Sequence, residues 1–416
     1  MKIGILTIGN ELTSGKTQDT NSSFISRELY RRGWQVAAML SVGDDPDAIK
    51  GGLDFLFSVA DGLIVTGGLG PTADDITTAA IAGAFGLKLN TDEAVLQHIK
   101  DLMTSLNHPW IPNNAKQAVF PEGAETIINR VGTAWGFSLK QDGKIITVIP
   151  GVPSEARQML LEGVIPILQR GFSDNDHVLT KIIKLSGISE SLVDQTLSDA
   201  PFTGVSVGFY PRFPDIEVVL TVRDLHQDKA MEKIKRAEGE VVKRLSKHIY
   251  AYDQDTLEGV VAALLIGKKI TLALAESCTG GLISDRLTDV PGSSAFFKRG
   301  LVAYSNESKE DLLGVPAEVI RQYGAVSRET ALLMAEGARA RGRTDLGLAT
   351  TGIAGPDGGT EEKPAGTVFI ALADGKSTYC RRFSFRWDRR RNKMLTSQWA
   401  LLILRKYLTD ELDREQ

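Results

Sequence analysis

The chain has 416 residues, of which 42% are hydrophobic and 24% are charged, and its formal net charge is −4. This length predicts two or three domains, and the composition is typical of a soluble globular protein. The acidic balance argues against a general nucleic-acid binder. Two cysteines are too few for a disulfide framework or a multi-cysteine zinc site. The absence of a membrane-length apolar run and of a signal peptide predicts a cytoplasmic protein.

Strand and helix patterns alternate along residues 1–170, which predicts an α/β domain built on an open, mostly parallel sheet. The expected strands cover residues 3–8, 36–42 and 63–66, followed by a hairpin over 137–149. The expected helices cover residues 20–32, 76–85 and 91–106, with two more opened by Asp45 and by Ser154 as N-caps.

Carboxylates and glycines follow three of these strands. The carboxylates are Glu11, Asp74, Asp75 and Glu155. Because ligands of open α/β sheets bind beyond the carboxyl ends of the strands, we expect a phosphorylated ligand held there with a divalent cation. Asp74 and Asp75 have an alternative role as caps of the helix near residue 76. The domain lacks a Gly-x-Gly-x-x-Gly or Walker lysine pattern, which excludes a dinucleotide fingerprint and a P-loop.

Residues 175–250 are expected to form a small α+β connector, with three strands, two helices and no evident catalytic cluster.

Residues 251–416 form the last expected α/β domain, which begins with a helix and a strand over 270–274. That strand leads into Glu276-Ser-Cys-Thr-Gly-Gly281, where the glycine turn and the following helix start are expected to bind an anion. A second glycine loop, 351–359, follows a strand over 345–350. The closing helix is expected from residue 389 to 406, and its three arginines at the start predict an anionic partner.

All five histidines precede residue 251, so a Ser-His-Asp triad cannot be built from the last domain. Lys309 is the best candidate base, because Asn306 is an expected N-cap and an amine in the first helical turn loses its proton more easily. The nucleophile is left open at this point between Ser277, Ser294 and the thiol of Cys278.

These motifs together resemble the CinA family, the competence/damage-inducible proteins A of bacteria, over essentially the whole chain. The similar stretches are Gly9-Asn-Glu-Leu, Asp19-Thr-Asn21, the loop 67–75, residues 150–155, Ala275-Glu-Ser-Cys-Thr-Gly-Gly281, Tyr304-Ser-Asn306, Gly324-Ala-Val-Ser327, the loop 351–359 and Glu361-Glu-Lys-Pro364.

The resemblance implies a molybdopterin-binding-like first domain with metal-dependent ADP-ribose pyrophosphatase activity. We expect the metal to be held by Glu11, Asp74, Asp75 and Glu155, without a prediction between magnesium, manganese and cobalt. We expect the substrate to be held by Gly67, Gly68, Gly70, Thr72 and Asn21.

For the last domain, the resemblance implies a nicotinamide-nucleotide amidohydrolase that needs no cofactor. It converts nicotinamide mononucleotide (NMN) and water to nicotinate mononucleotide and ammonia. The implied catalytic residues are Ser277, Ser294, Tyr304, Lys309 and Arg389, with Ser294 as nucleophile, Lys309 as base and Tyr304 holding or relaying the proton. Ser277 with Thr279, Gly280 and Gly281 is expected to bind the nucleotide or the oxyanion, helped by Thr351 and Gly352.

The expected partners are these small nucleotides and a second copy in a homodimer, without membrane or nucleic acid. The middle unit is similar to a KH domain but lacks the Gly-x-x-Gly loop that clamps RNA. The alternative is a first domain that binds a pterin or nucleotide without hydrolysing it, in a protein that acts as a competence or DNA-repair partner.

Overall fold

The computed structural model of the protein describes residues 1–171 and 177–412. The chain divides into two compact units, Met1–Thr180 with Thr221–Lys233 and Lys181–Leu220 with Ile234–Gln416. The domain boundary expected at residue 175 lies outside the described residues. The last domain is expected to extend to residue 416, and its residues 413–416 also lie outside the described residues. Among the helices of the described ranges, none combines the length and the apolar composition needed to cross a bilayer.

The first unit contains eight strands and seven α-helices among its described N-terminal residues. The strands are β1 (Lys2–Ile8), β2 (Gln35–Val42), β3 (Gly62–Thr66), β4 (Leu89–Thr91), β5 (Val119–Pro121), β6 (Glu125–Ile127), β7 (Gly136–Gln141) and β8 (Lys144–Ile149). The helices are α1 (Asn10–Thr13), α2 (Thr20–Arg31), α3 (Pro46–Val59), α4 (Thr77–Ala84), α5 (Glu93–Ser105), α6 (Pro153–Met159) and α7 (Ile165–Gly171). A 3-10 helix (Pro112–Ala118) precedes β5, and a π-helical turn (Leu160–Val164) joins α6 to α7.

Six of these strands form one sheet in the order β2-β1-β3-β8-β7-β6. The strands β2, β1, β3 and β8 run parallel, and β7 and β6 are antiparallel additions. Ile3 and Ile5 pack into the core on one face, whereas Leu6 and Ile8 pack into the core on the other. Apolar side chains on both faces are typical of a parallel sheet covered by helices, so the predicted α/β architecture is confirmed.

Two expected caps are wrong. Helix α6 begins after Val152 without a side-chain cap, so Ser154 lies inside its first turn. Helix α4 begins after Ile76, also without a side-chain cap, and neither Asp74 nor Asp75 supplies one. Asp45, in contrast, accepts from the amide of Ala48 as the predicted N-cap of α3.

The connector region forms a four-stranded sheet in the order β10-β11-β9-β12. Its elements are β9 (His177–Leu185), α8 (Glu190–Leu197), β10 (Ser206–Arg212), β11 (Asp215–Asp224), α9 (Gln227–Leu245) and β12 (Ile249–Tyr252).

The second unit ends in a five-stranded sheet with the order β14-β13-β15-β16-β17. Its strands are β13 (Leu272–Glu276), β14 (Phe297–Val302), β15 (Leu346–Gly352), β16 (Thr367–Ala373) and β17 (Thr378–Ser384). Its helices are α10 (Leu257–Lys268), α11 (Leu282–Thr288), α12 (Asn306–Leu313), α13 (Ala317–Tyr323), α14 (Arg328–Gly342) and α15 (Arg389–Leu408). β14, β13 and β15 run parallel, and β16 and β17 are antiparallel.

Two features of this sheet differ from the sequence prediction. The strand expected over residues 270–274 is β13, which begins at Leu272 and ends at Glu276, because α10 runs to Lys268 and Lys269 closes it in the left-handed conformation. The edge strand β14 was not predicted. Lys298, Arg299 and Gly300 are exposed along it and interrupt the apolar pattern that marks a buried strand.

Candidate functional site

The loop after β13 is organised by a buried carboxylate. The Oε2 atom of Glu276 accepts from the amides of Gly281 and Ile283 at 3.0 and 3.1 Å, and Oε1 accepts from the amide and hydroxyl of Ser284 at 2.8 and 2.7 Å. The amides of Gly281, Ile283 and Ser284 at the start of α11 are therefore already satisfied by the protein's own anion. The structure therefore does not support binding of a ligand anion by these three amides, and ligand binding at Gly281 stays a prediction.

Lys309 is almost completely buried, with 1% of its surface exposed. Its Nζ donates to the carbonyl oxygens of Ala303, Tyr304 and Ser305 at 3.1, 3.1 and 3.2 Å. Burial lowers the pKa of Lys309, because a charged amine loses hydration inside the protein. Ser305, rather than the predicted Asn306, caps α12 by accepting from the amide of Ser308.

Ser277 and Lys309 lie at the same end of the sheet. Glu276 pairs with Val302 in the β13–β14 register, and the amide of Ala303 donates to the Glu276 carbonyl at 2.9 Å. The carbonyl of that same Ala303 accepts from Lys309 Nζ. Ser277, the residue after Glu276, therefore lies at the same carboxyl end of two neighbouring parallel strands as Lys309, as expected for functional groups of such a sheet.

Cys278 has the geometry of a core side chain. It is 5% exposed and belongs to the hydrophobic cluster between the sheet and α10, α11 and α15. Burial raises the pKa of its thiol to about 12. Since the thiolate is the reactive form, the environment of Cys278 argues against the thiol as nucleophile.

Tyr304 and Arg389 meet at the surface of this site. Arg389 Nη2 donates to the Tyr304 hydroxyl at 2.8 Å, and Nη1 donates to the Gly355 carbonyl at 2.9 Å. Tyr304 contacts Lys309 through its main-chain carbonyl, whereas its hydroxyl points to the arginine. The structure therefore does not support a proton relay from the Tyr304 hydroxyl to Lys309.

Sequence reasoning missed Lys393. A side-chain carbon placed on Gly280 would lie 3.5 Å from its Nζ, so this cation lies over the loop that follows Ser277. Its position in the sequence could have indicated this role, because Lys393 follows Arg389 by four residues and residues four apart project from the same side of a helix such as α15.

Ser294 lies at the opposite end of β14. It belongs to a short 3-10 helix (Ser293–Ala295) before the strand, and Phe297 at the start of β14 pairs with Leu272 at the start of β13. The six residues of β14 separate Ser294 from Tyr304 by about 20 Å at the usual rise per residue. Within one chain the structure does not bring Ser294 to Lys309, in contrast to the sequence expectation.

Two hydroxyls in this domain that were expected to bind the substrate, those of Thr279 and Thr351, form hydrogen bonds inside the protein instead. Thr279 shares a hydrogen bond of 2.9 Å with Thr350, and Thr351 donates to the carbonyl of Ala325 at 2.7 Å. Both are fully buried, so the structure does not support ligand binding by their side chains. Gly280 is exposed, and Gly352 is partly exposed at the end of β15.

In the first unit, a cavity of about 560 Å³ lies beyond the carboxyl ends of β1, β3 and β8. The predicted residues that line it are Glu11, Asn21, Gly67, Gly68, Gly70, Asp74, Asp75 and Glu155. Gly67 has φ +109°, and a side-chain carbon there would lie 2.1 Å from the carbonyl oxygen of Ile8. Only glycine fits this close crossing of β1 and β3, which opens the backbone of the loop to the cavity.

The four predicted metal ligands do not converge. Thr72 Oγ1 lies 2.5 Å from a carboxylate oxygen of Asp74 and of Asp75 and donates its single proton to one of them, whereas Glu155 accepts from Asn129 at 2.6 Å. Among residues 1–171 and 177–412, no three acidic, histidine or cysteine side chains are grouped to hold a metal ion. The structure therefore does not support one preformed site made of all four carboxylates, and metal binding by these residues stays a prediction. Asp74 and Asp75 fit a cation that takes one or two carboxylates and completes its shell with phosphate and water.

The hydrogen bonds in this cavity set the charge of its carboxylates. The Thr72 hydroxyl lowers the pKa of Asp74, which is therefore an anion at neutral pH. Burial raises the pKa of Glu155, partly offset by the Asn129 hydrogen bond. Asn21 donates to the Gly151 carbonyl at 2.7 Å and so ties α2 to the loop after β8. Sequence reasoning missed Asn129 and also Lys116, which donates to the Thr72 carbonyl, because both are distant in the chain.

Comparison with known proteins covers the whole chain. Three family models match: the CinA C-terminal domain at residues 254–408, the probable molybdopterin binding domain at 4–170 and the damage-inducible protein CinA KH domain at 180–251. A CinA-like protein of Syntrophus aciditrophicus is 59% identical over 98% of both chains. A putative competence-damage inducible protein of Caldicellulosiruptor bescii is 40% identical over 98% of this chain and 99% of its own.

A crystal structure of the protein CinA from Thermoplasma acidophilum, described as of unknown function, is 34% identical to this chain. It covers 40% of this chain and 97% of its own, with a TM-score of 0.38. Because full-length relatives and family models for all three regions agree with the motifs and the α/β fold, the chain belongs to the CinA family.

Proposed function

We propose that this protein is a nicotinamide-nucleotide amidohydrolase that converts NMN and water to nicotinate mononucleotide and ammonia. The observation that carries this proposal is the buried amine of Lys309 at the carboxyl ends of β13 and β14, the end of the sheet at which Ser277 also lies. Burial lowers the pKa of Lys309, which increases the fraction of neutral amine available to accept a proton. A site without histidine gains its general base in this way.

In the proposed reaction, Lys309 Nζ takes the proton of a serine hydroxyl as the serine oxygen bonds to the carboxamide carbon. The carbon–nitrogen bond then breaks, and the nitrogen leaves as ammonia with the proton returned by Lys309. Water attacks the resulting ester, again giving its proton to Lys309, and releases nicotinate mononucleotide as the serine oxygen recovers a proton. Ser277 is suited to hydrogen-bond the oxyanion that forms at the carboxamide oxygen.

The substrate phosphate has a matching pair of cations. Arg389 is held in place by hydrogen bonds to Tyr304 and Gly355. Lys393, which is on the same helix α15 as Arg389, lies over Gly280. A guanidinium with two donors already engaged is preorganised, so less rotamer entropy is lost when it binds a phosphate. We assign phosphate recognition to Arg389 and Lys393.

For the first domain, we propose hydrolysis of ADP-ribose to AMP and ribose 5-phosphate in the cavity beyond the carboxyl ends of β1, β3 and β8. Asp74 and Asp75 would hold a divalent cation, with the open backbone of the Gly67 loop against the phosphates. The cation would supply neutralisation of the pyrophosphate charge. Both proposed substrates are fragments of one dinucleotide class, which suits two activities in one chain.

The test follows ammonia release from NMN and AMP release from ADP-ribose in parallel, with and without magnesium, on three proteins. We expect wild type to show both activities. Lys309→Met should lose ammonia release and keep AMP release, and a double variant with Asp74→Asn and Asp75→Asn should show the reverse. The activity that each variant keeps shows that its chain is folded, so each variant serves as the folding control for the other. A wild type that releases no ammonia from NMN contradicts the proposed deamidation.

One observation favours a second function for the first domain, binding of a nucleotide or pterin without hydrolysis. No three potential ligands converge among the described residues, so no preformed metal cage is present to drive hydrolysis. Saturable binding of ADP-ribose by calorimetry, without AMP at any concentration of magnesium, manganese or cobalt, would support this function.

A further inference from the structure

We propose that the connector contributes to the amidohydrolase site, because its residue Phe213 positions the phosphate-binding end of α15 and so sets the affinity for NMN. This inference rests on the proposed deamidation and on the phosphate-binding role assigned to Arg389. Phe213 lies in the short connection between the neighbouring strands β10 and β11. This connection and α15 belong to the same compact unit.

The first observation is a cluster of two aromatic rings and one guanidinium where this connection meets the start of α15. The rings of Phe213 and Trp387 are nearly perpendicular, with centroids 5.6 Å apart and an interplanar angle of 68°. Arg391 Cζ lies 5.5 Å from the ring centroid of Phe213 and 5.0 Å from that of Trp387. Both distances are within the range of cation–π attraction. The ring of Phe213 therefore contacts α15 through Arg391 and the segment before α15 through Trp387.

The same residues form the first turn of α15, which begins at Arg389. Asp388 caps this turn by accepting from the amide of Arg391 at 3.0 Å, and its carboxylate lies 3.6 Å from Arg391 Nε. Asn392 accepts from the Trp387 amide at 3.2 Å and donates to the Trp387 carbonyl at 2.8 Å. Because helix ends fray more readily than helix centres, contacts that hold this turn also determine how firmly Arg389 is fixed.

Arg389 and Arg391 lie on nearly opposite sides of α15, since two residues of an α-helix turn through about 200°. Arg389 donates to Tyr304 and to the carbonyl of Gly355. Arg391 lies against the connector ring instead. Phe213 is therefore a positioning residue, which acts on the substrate phosphate through Arg389 and does not touch the substrate.

A second contact attaches the connector to the same side of α15. Asp215 Oδ2 accepts from Gln398 Nε2 at 2.7 Å and from the hydroxyl of Tyr250 in β12 at 2.9 Å. Gln398 follows Arg391 by seven residues, and residues seven apart lie on one face of a helix. Gln398 is 3% exposed, so this contact is a buried anchor from which the connection carrying Phe213 reaches the helix start.

The cluster at the helix start lies at the protein surface. Phe213 is 39% exposed and Trp387 is 53% exposed. Removing the Phe213 ring therefore leaves no cavity in a packed core, and large losses of stability come chiefly from such cavities and other buried defects. A substitution of Phe213 should keep the fold and loosen the first turn of α15 selectively.

The first experiment measures steady-state ammonia release from NMN by the full chain. We expect Phe213→Ala to raise KM about fivefold with kcat unchanged, which is the size of effect that exposed cation–π contacts supply. Phe213→Tyr keeps the ring and should stay within about twofold of wild type. Leu192→Ala removes another exposed apolar side chain of the connector and should change neither constant.

Arg391→Met provides a second variant, because it removes the guanidinium from the other side of the contact. We expect a rise in KM similar to that of Phe213→Ala, again with kcat unchanged. AMP release from ADP-ribose by each chain shows that it is folded. An unchanged KM in Phe213→Ala, or an equal rise in Leu192→Ala, overturns the proposal.

A double-variant cycle tests whether Phe213 acts through Arg389. In a chain that carries Arg389→Met, the added Phe213→Ala substitution should raise KM by less than about twofold, because the group that it positions is already absent. A further rise of about fivefold in this background would show that the two residues act independently, and it overturns the positioning role.

Hydrogen exchange tests the contact without activity. Backbone amides in the first two turns of α15 should exchange at least about fivefold faster in Phe213→Ala than in wild type, whereas those of α10 should not change. Unchanged exchange at the start of α15 contradicts the positioning role even if wild type releases ammonia. A wild type that releases no ammonia contradicts the proposed deamidation instead, so the two failures are distinguishable.

Discussion

Arg389 Nη2 lies 2.8 Å from the hydroxyl oxygen of Tyr304, and this hydrogen bond ties the start of α15 to the loop that holds Lys309. The second hydrogen bond of the guanidinium, to the Gly355 carbonyl, fixes its plane. Lysine cannot replace an arginine that donates from two nitrogens of one plane to two separate acceptors, because lysine has a single cationic centre.

We therefore expect Arg389→Lys to raise KM for NMN about tenfold, the effect of losing roughly 1.4 kcal/mol of binding. Steady-state ammonia release measures it. Arg390→Lys is the matched control, because it changes the neighbouring exposed arginine. Equal effects of the two substitutions would show that the defined contacts of Arg389 do not matter.

Lys309 gives the proposed reaction a pH dependence with a definite sign. Since burial lowers its pKa, and a base must be neutral to accept a proton, kcat should rise with pH and reach half its maximum below 10.5, the ordinary value for lysine. Initial rates of ammonia release across this pH range measure the midpoint. The exposed Lys268→Met variant should keep the same profile. A rate that falls as pH rises through this range would exclude Lys309 as the base.

Cys278 should be dispensable for the reaction. Its thiol has a pKa of about 12 and is buried, so Cys278→Ala should keep ammonia release within about twofold while destabilising the fold by about 1 kcal/mol through lost packing. Activity and urea unfolding of the same preparation measure the two effects. If this variant loses deamidation and the serine variants keep it, the nucleophile is the thiol.

Lys393 should act on binding and not on chemistry. Its Nζ lies over Gly280, and Lys393→Met removes a cation from the expected path of the substrate phosphate. We expect a rise in KM for NMN of about fivefold to tenfold with kcat unchanged, which is the pattern of lost uniform binding. The nucleoside without its phosphate provides the comparison, because its binding should not respond to this substitution.

Glu155 should reduce stability at neutral pH. Its pKa is raised by burial, so its favourable contribution is complete below its unfolded value of 4.5 and is lost as pH rises through the folded pKa. Glu155→Gln should therefore gain stability relative to wild type between pH 4.5 and 7.5, by less than about 1 kcal/mol because much of the side chain remains hydrated. Thermal unfolding at both pH values measures this gain, and the exposed Glu122→Gln should show none.

The sequence alone determined the α/β class, the family and the main candidate residues. Buried strands such as β3 and β8 are continuous apolar runs, and glycine loops after them mark ligand-binding edges, so local pattern was sufficient there. The absence of histidine from the last domain, a matter of counting, directed attention to Lys309.

Only the tertiary structure decided which of those residues meet. Glu276 begins the motif that the sequence predicts to bind an anion, but its own carboxylate accepts from the amides at the start of α11. Ser294 looked like a neighbour of Lys309, but the unpredicted strand β14 places the two at opposite ends. The physical reason is the same in both cases: hydrogen bonds and strand register act between residues distant in sequence, and a local pattern carries no information about them.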